Sequence, residues 1–84
     1  MILNGKTYQF YKISWVDITG SSEHATREEF DKMECATMVT YAFVYKRDYK
    51  FIWTFSSYDV TEETFSDRNV FPTSCVTDMK KLDV

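Results

Sequence analysis

From Thr37 to Tyr58 the chain alternates with a period of two. In the stretch YAFVYKRDYKFIWTF every aromatic side chain falls on an odd position: Tyr41, Phe43, Tyr45, Tyr49, Phe51, Trp53 and Phe55. Thr40, Ala42, Val44, Ile52, Thr54 and Ser56 hold even ones. Successive side chains of a strand point to opposite faces, so the pattern predicts a β-hairpin with Lys46-Arg47-Asp48 as its turn. A three-residue loop pairs Tyr45 with Tyr49, Phe43 with Phe51 and Tyr41 with Trp53, gathering the rings on one face. Asp48 then takes the left-handed backbone position usually given to glycine.

The segment YQFYKISWVDI at 8–18 reads as an earlier strand. Tyr11, Ile13 and Trp15 share one parity, and Val16 and Ile18 carry the apolar character on the other. A strand that changes its buried face must bend or bulge. TGSS at 19–22 ends it, and ATREEFDKM at 25–33 predicts a helix of about two turns. Thr26 and Glu29 have the spacing of a capping box, and Phe30 and Met33 form one apolar edge fit to lie over a barrel opening. Residues 57–69 are polar and acidic and read as a long connection with one short helical turn. Pro72, Thr73 and Ser74 make a tight turn before a last strand from Cys75 to Met79, with Val76 inward. The fold expected is mainly β: a small, strongly bent five-stranded barrel with one short helix between strands 1 and 2.

Length changes this picture little, since 84 residues hold one core and one domain, 1–84. A content of 44% hydrophobic and 27% charged residues lies outside the disordered regime. The net charge of -3 offers phosphate backbones and anionic lipid no general attraction. Acidic side chains cluster between Asp17 and Glu34 and again at Asp59, Glu62, Glu63 and Asp67; bases gather at Lys46, Arg47 and Lys50 and at Lys80 and Lys81. Cys35 and Cys75 have neither metal-site spacing nor the density of a disulfide scaffold, and read as reduced, packed thiols. No run is long and apolar enough for a membrane span, and MILNGKTY lacks a signal-peptide core, so a soluble, cytoplasmic protein is expected.

Catalysis needs a base within reach of a nucleophile. The one histidine, His24, sits in the polar SSEHAT loop, and with the two thiols it carries no local signature. No calcium loop, zinc spacing or glycine-rich phosphate cradle is present. The expectation is a non-enzymatic protein without cofactor or metal.

What stands out is the stock of rings: 7 Phe, 6 Tyr and 2 Trp. Each buries about 150–250 Å² when enclosed, more than a barrel this small can hide. One arrangement turns the odd row into the core with Ile13 and Trp15; the other turns Ala42, Val44 and Ile52 inward and leaves the aromatics for a partner. Both leave apolar surface that self-association would cover, with Tyr41, Phe43, Tyr45, Phe51, Trp53 and Phe55 as the candidate interface. A second possibility is single-stranded RNA or DNA stacking on tyrosines beside bases, with Lys46, Arg47, Tyr49, Lys50 and Arg68 as candidate contacts.

The order of elements, WVDITG, then TREEFDKM, a hairpin, and NVFPTSCVTDMKKL at the end, resembles small Sm-like or Src-homology-type barrel proteins of bacteriophages, marine phages among them. The residues carrying it are Trp15, Asp17 and Ile18, then Thr26, Glu29 and Phe30, then Phe71, Pro72, Cys75 and Val76. The resemblance implies a subunit that closes into a ring with its own copies, in the cytoplasm of an infected bacterium. Sm proteins hold single-stranded RNA in such rings through an Asp-containing motif and an Arg-Gly loop. Here Asp67, Arg68 and Asn69 lack the glycine, and 37–45 holds no Asp or Asn. A phage inhibitor docking on a host protein is a further alternative.

Overall fold

The computed structural model describes residues 1–84. Its first element is one that the periodicity did not suggest. β1 (Ile2–Leu3) and β2 (Lys6–Thr7) form a minimal hairpin around Asn4 and Gly5, both at positive φ (51° and 77°). Asn-Gly suits such a two-residue turn because both central residues need left-handed backbone.

β3 (Gln9–Asp17) and β4 (Ala36–Arg47) are the long strands, paired antiparallel from Gln9–Val44 to Asp17–Ala36. Between them lies α1 (Arg27–Asp31). β5 (Phe51–Phe55), β6 (Ser57–Asp59), β7 (Thr64–Ser66), β8 (Asn69–Pro72), a 3-10 turn at Thr73–Cys75 and β9 (Val76–Leu82) complete the chain. The main sheet has five strands in the order β8-β5-β4-β3-β9, all antiparallel, so the β-rich, five-stranded expectation holds.

Two finer expectations do not hold. The sheet does not close into a barrel, because β8 and β9 share no ladder. The helix follows β3 instead of separating strands 1 and 2, because the first residues spend themselves on the β1–β2 hairpin. The sheet nevertheless curls strongly. Three inter-strand steps separate β3 from β8, about 14 Å across a flat sheet. Yet the rings of Trp15 on β3 and Phe71 on β8 meet edge to face at 5.1 Å. Beneath that contact sits the core of Ile13, Ile52 and Phe71, walled by Tyr11, Trp15, Val44, Val76 and Met79. The Trp15 indole N–H donates to the Thr40 hydroxyl at 2.9 Å, satisfying its one polar atom.

The hairpin register also differs from expectation. Phe43 opposes Phe55 and Val44 opposes Thr54, but beyond a bulge at Tyr45 the pairs are Lys46–Trp53 and Arg47–Ile52. Adjacent side chains alternate faces, so the extra residue moves Lys46 to the face opposite Val44. Tyr45 packs with Tyr8 and Phe65 while Arg47 lies over Tyr11, and the aromatic row is divided instead of continuous. The turn lies at 48–50, two places beyond Lys46-Arg47-Asp48. Asp48 is not left-handed there. Its carboxylate accepts from the Lys50 and Phe51 N–H groups, both at 2.8 Å, a side-chain turn that needs no positive φ.

The strand at 8–18 bulges against β9, where Thr77 is the extra residue between the Ser14–Asp78 and Trp15–Val76 pairs, while its pairing with β4 stays regular. Ile18 is 88% exposed and buries no second face. The polar stretch 57–69 forms the β6–β7 hairpin in place of a connection with a helical turn. Asp59 accepts from the Thr61 and Glu62 N–H groups to shape its turn, and Phe65 packs on Phe55, Tyr8 and Tyr58. This second aromatic cluster lies on the face opposite Ile52.

Seven residues are buried. Among them the Thr54 hydroxyl, 2% exposed as a residue, has no hydrogen-bond partner. Thr54→Val keeps the shape and removes an unsatisfied group, and should raise stability by about 1 kcal/mol. Ile13→Val, at a fully enclosed position, should lower it by about 1 kcal/mol. Urea melts of the two variants read both; a loss in Thr54→Val equal to that in Ile13→Val would show that the hydroxyl is satisfied in solution.

Candidate interaction surface

The molecule measures 56 × 25 × 23 Å, with a radius of gyration of 16.8 Å. A compact chain of this length has a radius of about 12 Å. The extension has an identifiable source. β5 pairs with β4 only from Phe43 onward, and β9 pairs with β3 only as far as Trp15, so the far end of the β3–β4 ribbon runs past the rest of the sheet. Every residue from 17 to 39 is exposed, which makes this stretch an arm. The β4 edge from 36 to 42 has no partner on the β5 side.

The arm carries α1. Its capping box forms as its spacing predicts: the Glu29 N–H donates to the Thr26 hydroxyl at 3.2 Å, and the Thr26 N–H donates to the Glu29 carboxylate at 3.1 Å. The helix covers no barrel opening. It buries no residue, Phe30 is 69% exposed, and Met33 and Met38 are exposed as well. Six carboxylates (Asp17, Glu23, Glu28, Glu29, Asp31, Glu34) and two cations (Arg27, Lys32) lie on the arm; the remaining chain holds seven carboxylates and eight cations.

At the opposite end of β4 is the 48–50 turn. Lys46 lies 4.4 Å from the Trp53 ring centroid, Lys50 5.6 Å from Tyr49, and Arg47 5.8 Å from Tyr11 with Nη1 3.5 Å from the Met79 sulfur. The Thr73 N–H donates to the Lys50 carbonyl at 2.8 Å and ties the turn to the 3-10 segment. Tyr49 is 83% exposed. The structure therefore places Lys46, Arg47, Tyr49 and Lys50 at one end of the sheet, with Lys46 and Arg47 on opposite faces. Arg68 lines an open hollow of about 660 Å³ with Tyr45, Trp53, Phe65 and Val70, and Trp53 is the ring that Lys46 lies over.

The six aromatics expected to meet a partner are divided. Phe55 is enclosed within the protomer, 1% exposed, and offers no face outward. Phe43 and Trp53 are half-buried, Phe43 between Phe10 at 4.8 Å and Phe55 at 5.6 Å. Tyr41, Tyr45 and Phe51 are exposed. Of the two arrangements open to the hairpin, Ala42, Val44 and Ile52 are the ones turned to the core, yet part of the odd row finds cover of its own under Tyr8 and Phe65. The periodicity missed Phe65 and Tyr8; the Asn4-Gly5 turn signal was the available pointer to the second.

His24 lies on the arm and Cys35 is exposed instead of packed, while Cys75 is half-buried; both thiols are free. No group of three or more His, Cys, Asp or Glu side chains is placed to hold a metal ion. No helix is long and apolar enough to cross a membrane. Comparison of the chain with family models, with curated proteins and with solved structures finds no match.

Glu29 is the titrating group whose surroundings matter locally. Its carboxyl is held below its ordinary value, chiefly by the hydrogen bond from the Thr26 N–H and next by the Thr26 side chain. A depressed folded-state pKa contributes stability that is present above the unfolded value and lost as pH falls through the lowered one. The helix should therefore fray in acid, read by NMR as a concerted shift of the Thr26 and Glu29 amides, and Glu29→Gln should abolish that pH dependence. Amide shifts that stay flat through the acid range would contradict it.

Proposed function

We propose that this chain is a non-enzymatic β-module that assembles with its own copies, into a closed ring, and serves as a structural or interaction unit. The observation carrying this reading is surface in excess. A folded chain of 10.0 kDa exposes about 5,200 Å². This one exposes 6737 Å², with Ile18, Phe30, Tyr41, Tyr49 and Val70 among the uncovered side chains. The surplus, about 1,500 Å² on one chain, is about twice what each partner buries in a standard interface. The unpartnered β4 edge at 36–42 adds a row of backbone donors and acceptors that pairing between copies would satisfy.

The order of strand, helix, hairpin, turn and last strand, with the curl of the sheet, supports kinship with the small Sm-like or Src-homology-type phage barrels. On that kinship the setting is the cytoplasm of an infected bacterium. A second reading, single-stranded nucleic-acid binding, is favoured by exposed Tyr49 with Lys50 beside it and Lys46 three residues before it.

Sedimentation and light scattering at micromolar concentration should find a discrete oligomer, and a monomer there would overturn the reading. Titration of labelled oligouridine at low salt tests the second: saturable binding that weakens steeply with salt supports it, and no binding removes it.

A further inference from the structure

The excess surface is not spread evenly, and its two halves differ in charge. Arm and tip occupy opposite ends of β4, a strand of 12 residues and hence about 40 Å long. The arm end shows Ile18, Phe30, Met33 and Met38 in a field of six carboxylates against two cations. The tip end shows Tyr49 and Phe51 beside Lys46, Arg47 and Lys50. Of the nearby carboxylates, Asp48 is occupied by the Lys50 and Phe51 N–H groups and shapes the turn, while Glu63 lines the hollow beside Trp53. Each end thus pairs exposed apolar side chains with an excess of one charge, and the two excesses are opposite in sign.

We infer that the partner of the acidic arm is the basic, aromatic tip of a second copy, so that copies join head to tail through Phe30 and Met33 on one side and Tyr49, Lys46 and Lys50 on the other. The inference rests on the self-assembly reading and specifies its contact. Three arguments favour this occupant. Like ends repel each other, so arm-to-arm and tip-to-tip contacts are disfavoured while arm-to-tip contacts are steered together. A standard interface removes about 800 Å² from each partner, and a head-to-tail contact gives every copy two such patches, close to the surplus of about 1,500 Å². A contact between different surfaces closes into a ring when its rotation allows, which accords with the assembly proposed above.

Two charge-reversed variants and their mixture test it. The tip variant carries Lys46→Glu and Lys50→Glu, and the arm variant carries Glu23→Lys, Asp31→Lys and Glu34→Lys, all at exposed positions outside the capping box. Alone, each sets like charge against like charge and should assemble at least about tenfold more weakly than the wild type. Mixed, the acidic arm of the first faces the basic tip of the second, and the basic arm of the second faces the acidic tip of the first. An equimolar mixture should therefore regain the wild-type oligomer, built of both chains in alternation. Unchanged melting temperatures establish that each variant is folded, and recovery on mixing does so independently.

If the wild type is a monomer, the self-assembly reading and this contact fall together. A wild type that assembles alongside variants that do so equally well overturns the arm-to-tip contact alone. Variants that stay monomeric when mixed overturn it too, since their charges then matter without facing one another.

Discussion

The structure depends on how tightly the five-stranded sheet curls around Ile13. The contact of Trp15 with Phe71 across the width of the sheet closes a concave face just large enough for Ile13, Ile52 and Phe71 and the side chains that wall them. Curl and capacity are linked: a sheet bent until its β3 and β8 rings touch leaves no room beneath them for further aromatic side chains. The rings left over must be placed on the convex face, and there cover has to come from elsewhere.

That cover is built from small pieces. The β1–β2 hairpin delivers Tyr8, and the β6–β7 hairpin delivers Phe65, which stands within 6.0 Å of Tyr8, Tyr45, Phe55 and Tyr58 ring to ring. Each hairpin is too short to be stable alone and is held by the ring it contributes. The protection ends where these pieces end. Tyr41 sits where β5 no longer reaches, and Tyr49 lies on the turn beyond either hairpin. The exposed aromatics are therefore a consequence of element length, and the same shortage of neighbouring strands leaves the arm without a core. Its acidic charge sits at one end of the long axis and the tip's basic charge at the other, giving an elongated molecule two unlike ends.

Much of this was legible in the residues. Period-two alternation located β3 and β4–β5, the Thr26–Glu29 spacing located the helix start, and Pro72 located the break before the last strand, because each of these signals is local and steric or hydrogen-bonded in origin. The division of arm and tip by charge was likewise written in the order of Asp, Glu, Lys and Arg. Asn4-Gly5 also carried a turn signal, overshadowed by the longer alternation downstream. Residues 57–69 misled for a physical reason: a hairpin of two three-residue strands has too few apolar positions to show a period, and only the burial of Phe65 reveals it.

Register and closure were beyond reach of the sequence. One extra residue at Tyr45 sends Lys46 to the opposite face, and nothing in the alternation of types marks that residue, since a tyrosine serves either face. Whether the sheet closes depends on the sum of twist over five strands and on whether β8 meets β9, contacts between segments far apart in the chain. The residues by themselves determined the elements, their order and the placement of charge, because these follow from neighbours a few positions away; the tertiary structure alone decided which rings are covered and which face outward, because burial depends on what the rest of the chain brings alongside.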